Sequence, residues 1–194
     1  MAALMIAVPE ETSRILQEIP VEGKREQHSH ITVIHLGKDV PIERISEMLP
    51  LLYEVTSKTL PFSVSTNWVS SFPAGDDGTP VICRVFSPEL HDFRDALKAK
   101  LDAAKMPYSN NYPEYKPHVT LAYDPDPEAH YDGEIPEISW GAHELLLWGS
   151  NRGTGRLVIK FPLSLPGVKV ASQPDALKRA AVKLSQWSKK DSLV

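Results

Sequence analysis

The sequence contains a single cysteine, Cys83, in 194 residues. That excludes a disulfide framework and a paired-cysteine metal site within the chain. It makes an intracellular, cytoplasmic protein the simpler expectation and leaves Cys83 as an ordinary buried strand thiol. No apolar run approaches the ~20 residues of a membrane-spanning helix. The opening Met1–Pro9 segment has neither the basic start nor the length of a secretory signal, and it reads as a first strand. Positive charge is also scarce over most of the chain: residues 1–162 carry 15 Lys and Arg against 23 Asp and Glu, a balance of −8, whereas residues 163–194 balance at +4. A body of that sign repels a long nucleic acid, whose non-specific binding rests on phosphate neutralisation. It still allows a small anionic ligand in a locally basic cleft.

With 42% apolar and 24% charged residues the chain is long enough for one well-cored domain and an appendage. After the first strand, Glu10-Glu11-Thr12 opens a short helix to about Ile19, with its acids where the helix dipole favours them. Val21 to Gln27 reads as a polar, mobile stretch. A strand from His30 to Leu36 is followed by a helix begun by Pro41-Ile42, in which Pro50 implies a kink or a restart. Strands at 62–69 and 80–86 form a hairpin. Ser87-Pro88 then starts a helix with the apolar stripe Leu90, Phe93, Leu97 and Leu101. A strand at His118, a loop from Asp124 to Glu137 and two last strands near 142–148 and 156–163 complete the order. This predicts an α+β domain, residues 1–163, in two similar lobes. Residues 164–194 read as a linker and a basic amphipathic helix, with Leu177, Ala180, Ala181, Leu184 and Trp187 on one side, suited to packing on the domain, on another protein or on an anionic surface.

Two strand segments, His30-Ile31-Thr32-Val33 and His118-Val119-Thr120-Leu121, repeat the pattern His-x-Thr-apolar. On a strand, side chains alternate between faces, so each segment presents an imidazole and a hydroxyl together while Ile31 or Val119 turns into the core. Two such pairs facing each other supply a proton acceptor, a proton donor and two hydroxyls for a phosphoryl group. That set suits phosphodiester cleavage without a metal or other cofactor. His28 and His30 at i and i+2, with His118, also make a formal three-histidine metal set. It leaves both threonines unexplained and has no acidic partner nearby, so no metal site is expected. On a regular strand His35 falls on the face opposite His30 and reads as structural.

These motifs resemble those of the 2H phosphoesterases, which include bacterial RNA 2′,3′-cyclic phosphodiesterases, also called 2′-5′ RNA ligases, and phage enzymes that degrade cyclic oligonucleotide defence signals. Met5-Ile-Ala-Val-Pro9 is similar to the family's opening strand, His30-Ile-Thr-Val-Ile-His-Leu-Gly37 to its first motif, and Lys116-Pro-His-Val-Thr-Leu121 to its second. Glu144-Leu-Leu-Leu-Trp-Gly-Ser150 is similar to its late strand. The resemblance implies a bilobal fold of two pseudo-symmetric antiparallel-sheet lobes with outer helices and a central groove. It also implies His30 and His118 as acid and base, and Thr32 and Thr120 as phosphate holders. Many RNA-directed members have an arginine soon after the second motif, where this chain reads Leu121-Ala-Tyr123-Asp124.

Further ligand-contact candidates lie near the second motif. Tyr112 and Tyr115, with Tyr108, precede His118 and offer rings for base stacking, worth ~1–3 kcal/mol each. Lys116 is placed to pair with phosphate, and Trp148 and Phe72 to wall the groove. The sequence therefore predicts a 2H-type phosphodiesterase acting on a small nucleotide. A cyclic oligonucleotide signal is the first expectation, in the host cytoplasm if the chain is phage-encoded, and an RNA 2′,3′-cyclic end is the second. A non-catalytic nucleotide-binding module is the alternative from another class.

Overall fold

The computed structural model describes residues 1–38, 40–111, 114–151, 155–164 and 178–184. Its elements are β1 (Ala2–Ala7), α1 (Glu10–Glu18), β2 (Lys24–Arg25), β3 (His30–Gly37), α2 (Ile42–Thr56), β4 (Phe62–Ser71), β5 (Thr79–Phe86), α3 (Pro88–Ala103), β6 (His118–Asp124), β7 (Asp132–Ala142), β8 (Glu144–Asn151) and β9 (Gly155–Pro162). All registered strand pairs are antiparallel, in the order β7-β4-β5-β6-β3-β1-β8-β9, with β2 added alongside β6. This is the expected α+β class.

The order shows how the lobes are built. β3, β1, β8 and β9 form one half and β6, β5, β4 and β7 the other, so the last two strands return to the half that holds the first. The element order splits the chain into a first stretch ending with the strand at 62–69 and a second beginning with the strand at 80–86; lobes read from that split misassign β4 as well as β8 and β9. Among the described residues the halves meet at one registered pair, Ile31 with Val119, both fully buried. The apolar stripes of α2 and α3 join these two residues in one core.

Local chemistry explains the elements. Ser87 caps α3: its hydroxyl accepts from the Leu90 amide at 3.3 Å and donates to the Ser63 carbonyl at 2.8 Å, tying the helix to β4. α2 runs through Pro50 without ending. Pro50 lies on the exposed side, and the carbonyl it leaves without a donor belongs to exposed Ser46, within reach of water. The polar stretch after α1 is pinned, contrary to its composition. The Glu26 amide donates to the Leu121 carbonyl at 2.9 Å, and Lys24 and Arg25 pair with Tyr123 and Ala122. Gly23, at φ +93°, passes so close to β6 that a Cβ there would lie 2.2 Å from the Tyr123 carbonyl oxygen. The segment from Asp132, expected as loop, is instead the first half of β7, paired along β4.

Residues 178–184 are helical, with Ala180 and Leu184 buried in the common core and Lys183 donating to the Val158 carbonyl at 3.3 Å. Ala181, placed by the sequence on the apolar side, is exposed. Leu177, Trp187 and residues 165–168 of the linker read at 164–168 lie outside the described residues, as does Tyr112. No described helix is long and apolar enough to cross a membrane.

Candidate active site

The two His-x-Thr strands are built alike. In β3 and in β6 the first seven residues share one burial pattern, with the His and Thr half-exposed and the residues at Ile31, Val33, Ile34 and at Val119, Leu121, Ala122 buried. Two consecutive buried residues follow each Thr because each strand carries a bulge there. The register against β1 skips Val33, and the register against β5 skips Leu121. A bulge resets the alternation, so the third residue after each Thr returns to the face of the motif. Those residues are His35 and Tyr123, both half-exposed. His35 thus shares the face of His30, against the regular-strand expectation.

The Ile31–Val119 pair sets how the motifs meet. Antiparallel register continued by one residue on either side puts His30 beside Thr120 and Thr32 beside His118, all four on the face opposite the core. The imidazoles then lie on one diagonal and the hydroxyls on the other.

Each imidazole is held in the same way. His30 Nδ1 lies 2.7 Å from the His28 carbonyl oxygen, and His118 Nδ1 lies 2.7 Å from the Lys116 carbonyl oxygen. A carbonyl oxygen only accepts, so Nδ1 carries the proton on both rings and Nε2 is left for chemistry. Burial pushes the His118 pKa below 6.5, the nearby charge of His30 pushes the same way, and the bond to Lys116 opposes both. The Phe72 ring stands edge-on to His118 at 4.8 Å between centroids. It covers one side of the imidazole.

The other candidates are placed differently. Lys116 is exposed and paired with Glu114 at 3.0 Å, and its backbone carbonyl is the part that touches the site. Tyr115 is mostly buried: its hydroxyl donates to the Thr32 carbonyl at 3.2 Å, the Arg94 guanidinium lies 4.5 Å from its ring centroid, and His91 packs edge-on. It braces the backbone of the first motif, and its ring is already occupied. Tyr108 is bound to Asp102 at 2.7 Å with Lys98 over its ring. Trp148 shares the motif face, across the small Ala3 from His35. Cys83 is buried, and burial pushes its thiol up to about 11, partly offset by a bond to Thr66. Among the described residues no group of three or more His, Cys, Asp or Glu is arranged to hold a metal ion.

Sequence reasoning passed over Arg84. It is registered directly opposite His118 on β5, and its side chain is 52% exposed. A lone arginine in a strand gives no signal of this, because the register is a long-range property.

Residues 11–153 match the sequence profile of the 2′-5′ RNA ligase superfamily. The chain belongs to that superfamily, the 2H phosphoesterases. Its members are phosphodiesterases, which gives the enzyme class expected from the two motifs. No curated protein matches the chain in sequence. Solved structures share the fold: TT0787 of Thermus thermophilus has a TM-score of 0.66 and 21% identity over 84% of this chain and 97% of that one. E. coli LigT complexed with NADP+ has a TM-score of 0.59 and 20% identity, and LigT complexed with 3′-AMP has 0.54 and 21%, each over 84% of this chain and 94% of that one.

Proposed function

We propose that this 2H phosphoesterase is a metal-independent phosphodiesterase of small nucleotides in which His30 and His118 exchange the two protons of the reaction. One Nε2 removes a proton from the attacking water or ribose 2′-hydroxyl as the P–O bond forms. The other, protonated, delivers a proton to the leaving oxygen as its P–O bond breaks. Thr32 and Thr120 hold the non-bridging oxygens and stabilise the charge that develops on them. The observation that carries this reading is the shared Nδ1 lock, which frees Nε2 on both rings of a square that also contains both hydroxyls.

The substrate we favour is a cyclic oligonucleotide, with the cytoplasm, a host's if the chain is phage-encoded, as its place of action. The acidic body supports a small ligand over a long RNA. So does the stretch after the second motif: many RNA-directed members carry an arginine soon after it, and here the bulge-restored position holds Tyr123. The second reading, an RNA 2′,3′-cyclic phosphodiesterase with 2′-5′ ligase activity, is favoured by the superfamily's own description.

The test is turnover of 3′,3′-cyclic dinucleotides, 2′-5′ oligoadenylate and a 2′,3′-cyclic-phosphate RNA end in excess EDTA, by wild type, His30→Ala and His118→Ala. Cleavage that survives EDTA and falls by ~10²–10⁴ in both variants is the expected result. Activity that EDTA abolishes, or that either variant retains, overturns it.

A further inference from the structure

The row that begins at His118 continues across the sheet. Arg84 on β5 is its registered partner, and Trp68 on β4 is the registered partner of Arg84. Registered partners on antiparallel strands share a face, so Arg84 and Trp68 extend the histidine face outward by two strand spacings, about 10 Å of backbone. The core side of β5 is filled by Val81, Cys83 and Val85, all buried, and Arg84 has no part in that packing.

Both side chains are held in place. Ser70 Oγ accepts from Arg84 Nη2 at 2.9 Å. Trp68 Nε1 donates to Asp132 Oδ1 at 2.6 Å, and that same oxygen lies 3.6 Å from Arg84 Nη2. The guanidinium carbon is 6.0 Å from the indole centroid. A guanidinium has five N–H donors in a fixed fork, and these contacts leave most of them unused. Ser70 is itself in the row of Thr120, through Ile82, so the bond to Ser70 draws the cation toward the proposed phosphate holder. An oriented, half-exposed guanidinium beside a partly exposed indole, one strand from that holder, fits a phosphate and a base belonging to one further nucleotide.

We propose that Arg84 and Trp68 form a subsite for the nucleotide next to the scissile phosphodiester, Arg84 binding its phosphate and Trp68 stacking its base. The inference rests on the reading of His118 and Thr120 as the scissile-phosphate site. It narrows the substrate to one with at least two phosphates, linear or cyclic, in preference to a nucleoside cyclic monophosphate. Asp132 fixes the indole edge and sets the direction of the guanidinium.

Calorimetric titration with two probes tests it: 3′-AMP, and a dinucleotide with a 5′-phosphate and a non-hydrolysable methylenephosphonate bridge. Wild type is expected to bind the dinucleotide about tenfold or more tighter than 3′-AMP. Arg84→Met and Trp68→Ala should each remove most of that advantage and leave 3′-AMP affinity unchanged, and Arg84→Met should lower the salt slope for the dinucleotide by about one. If Arg84→Met does not fold, Arg84→Lys, which keeps the charge and loses the fork, should give an intermediate affinity. Equal affinity of wild type for both probes, parallel losses on both, or no change in the variants overturns the subsite. Because neither probe need be cleaved, the outcomes separate. Selective binding without turnover of any substrate leaves the subsite and removes the two-histidine chemistry, whereas turnover without selectivity does the reverse.

Discussion

Ile31 on β3 pairs with Val119 on β6, and among the described residues no other registered pair joins these strands. Both side chains are fully buried, so the spacing of the histidines on one face is set by packing on the other. Ile31→Ala is expected to cost ~2–5 kcal/mol and Ile31→Val ~0.5–1.5 kcal/mol, read from the shift of a urea unfolding midpoint. A loss under ~1 kcal/mol for the alanine would mean that the contact between halves lies elsewhere.

The hydroxyls should matter less than the imidazoles. Thr32→Val and Thr120→Val keep the shape and the strand preference and remove one donor each. A lost hydrogen bond to a charged oxygen is worth ~1.5–3 kcal/mol, so kcat/KM should fall roughly 10- to 10²-fold in each, with thermal stability little changed. Variants as active as wild type would show that the threonines serve the strand alone.

Burial holds His118 and His35 below 6.5 in the folded protein. The unfolded chain then takes up these protons first. Their share of stability is present above 6.5 and is lost as pH falls from 6.5 through the folded values. Unfolding free energy should therefore rise with pH over the range below 6.5 and level off above it. The rise should be smaller in His118→Gln, which cannot charge. Phe72→Ala, which opens the ring to water, should move the His118 titration back toward 6.5, followed by NMR of the ring protons. A His118 titration above 6.5 in wild type contradicts this account of its environment.

Gly23 allows β2 to lie against β6. Alanine there meets both a positive φ and the Tyr123 carbonyl oxygen at 2.2 Å. Gly23→Ala should cost at least ~1 kcal/mol and should raise amide exchange at Glu26, whose N–H is held by Leu121. Unchanged exchange at that amide would place the strain elsewhere.

Much of the site was legible because its signal is local. A His and a Thr two apart on a strand share a face whatever the rest of the chain does, and Ser87-Pro88 announces a helix start by itself. The bulges were not legible. Whether Val33 and Leu121 are skipped depends on β1 and β5, so His35 was assigned to the wrong face from a correct strand. The same dependence hid Arg84, conspicuous only once it stands opposite His118. Tyr115 failed in the other direction: its place in a Tyr- and Asn-rich loop suggests a free ring, and Arg94, distant in sequence, occupies it.

The position of β1 has a consequence for how the chain assembles. Its residues Ala2 to Ile6 are all buried, yet Ile6 finds one partner at Ile31 and the other at Leu145, across almost the whole domain. During synthesis β1 must wait for β8 before its second edge is closed. Until then it presents an apolar, unpaired edge to every other nascent chain. A protein so wired gains β8 and β9 late, and its folding is expected to be slow for its size because the closing contact is so non-local.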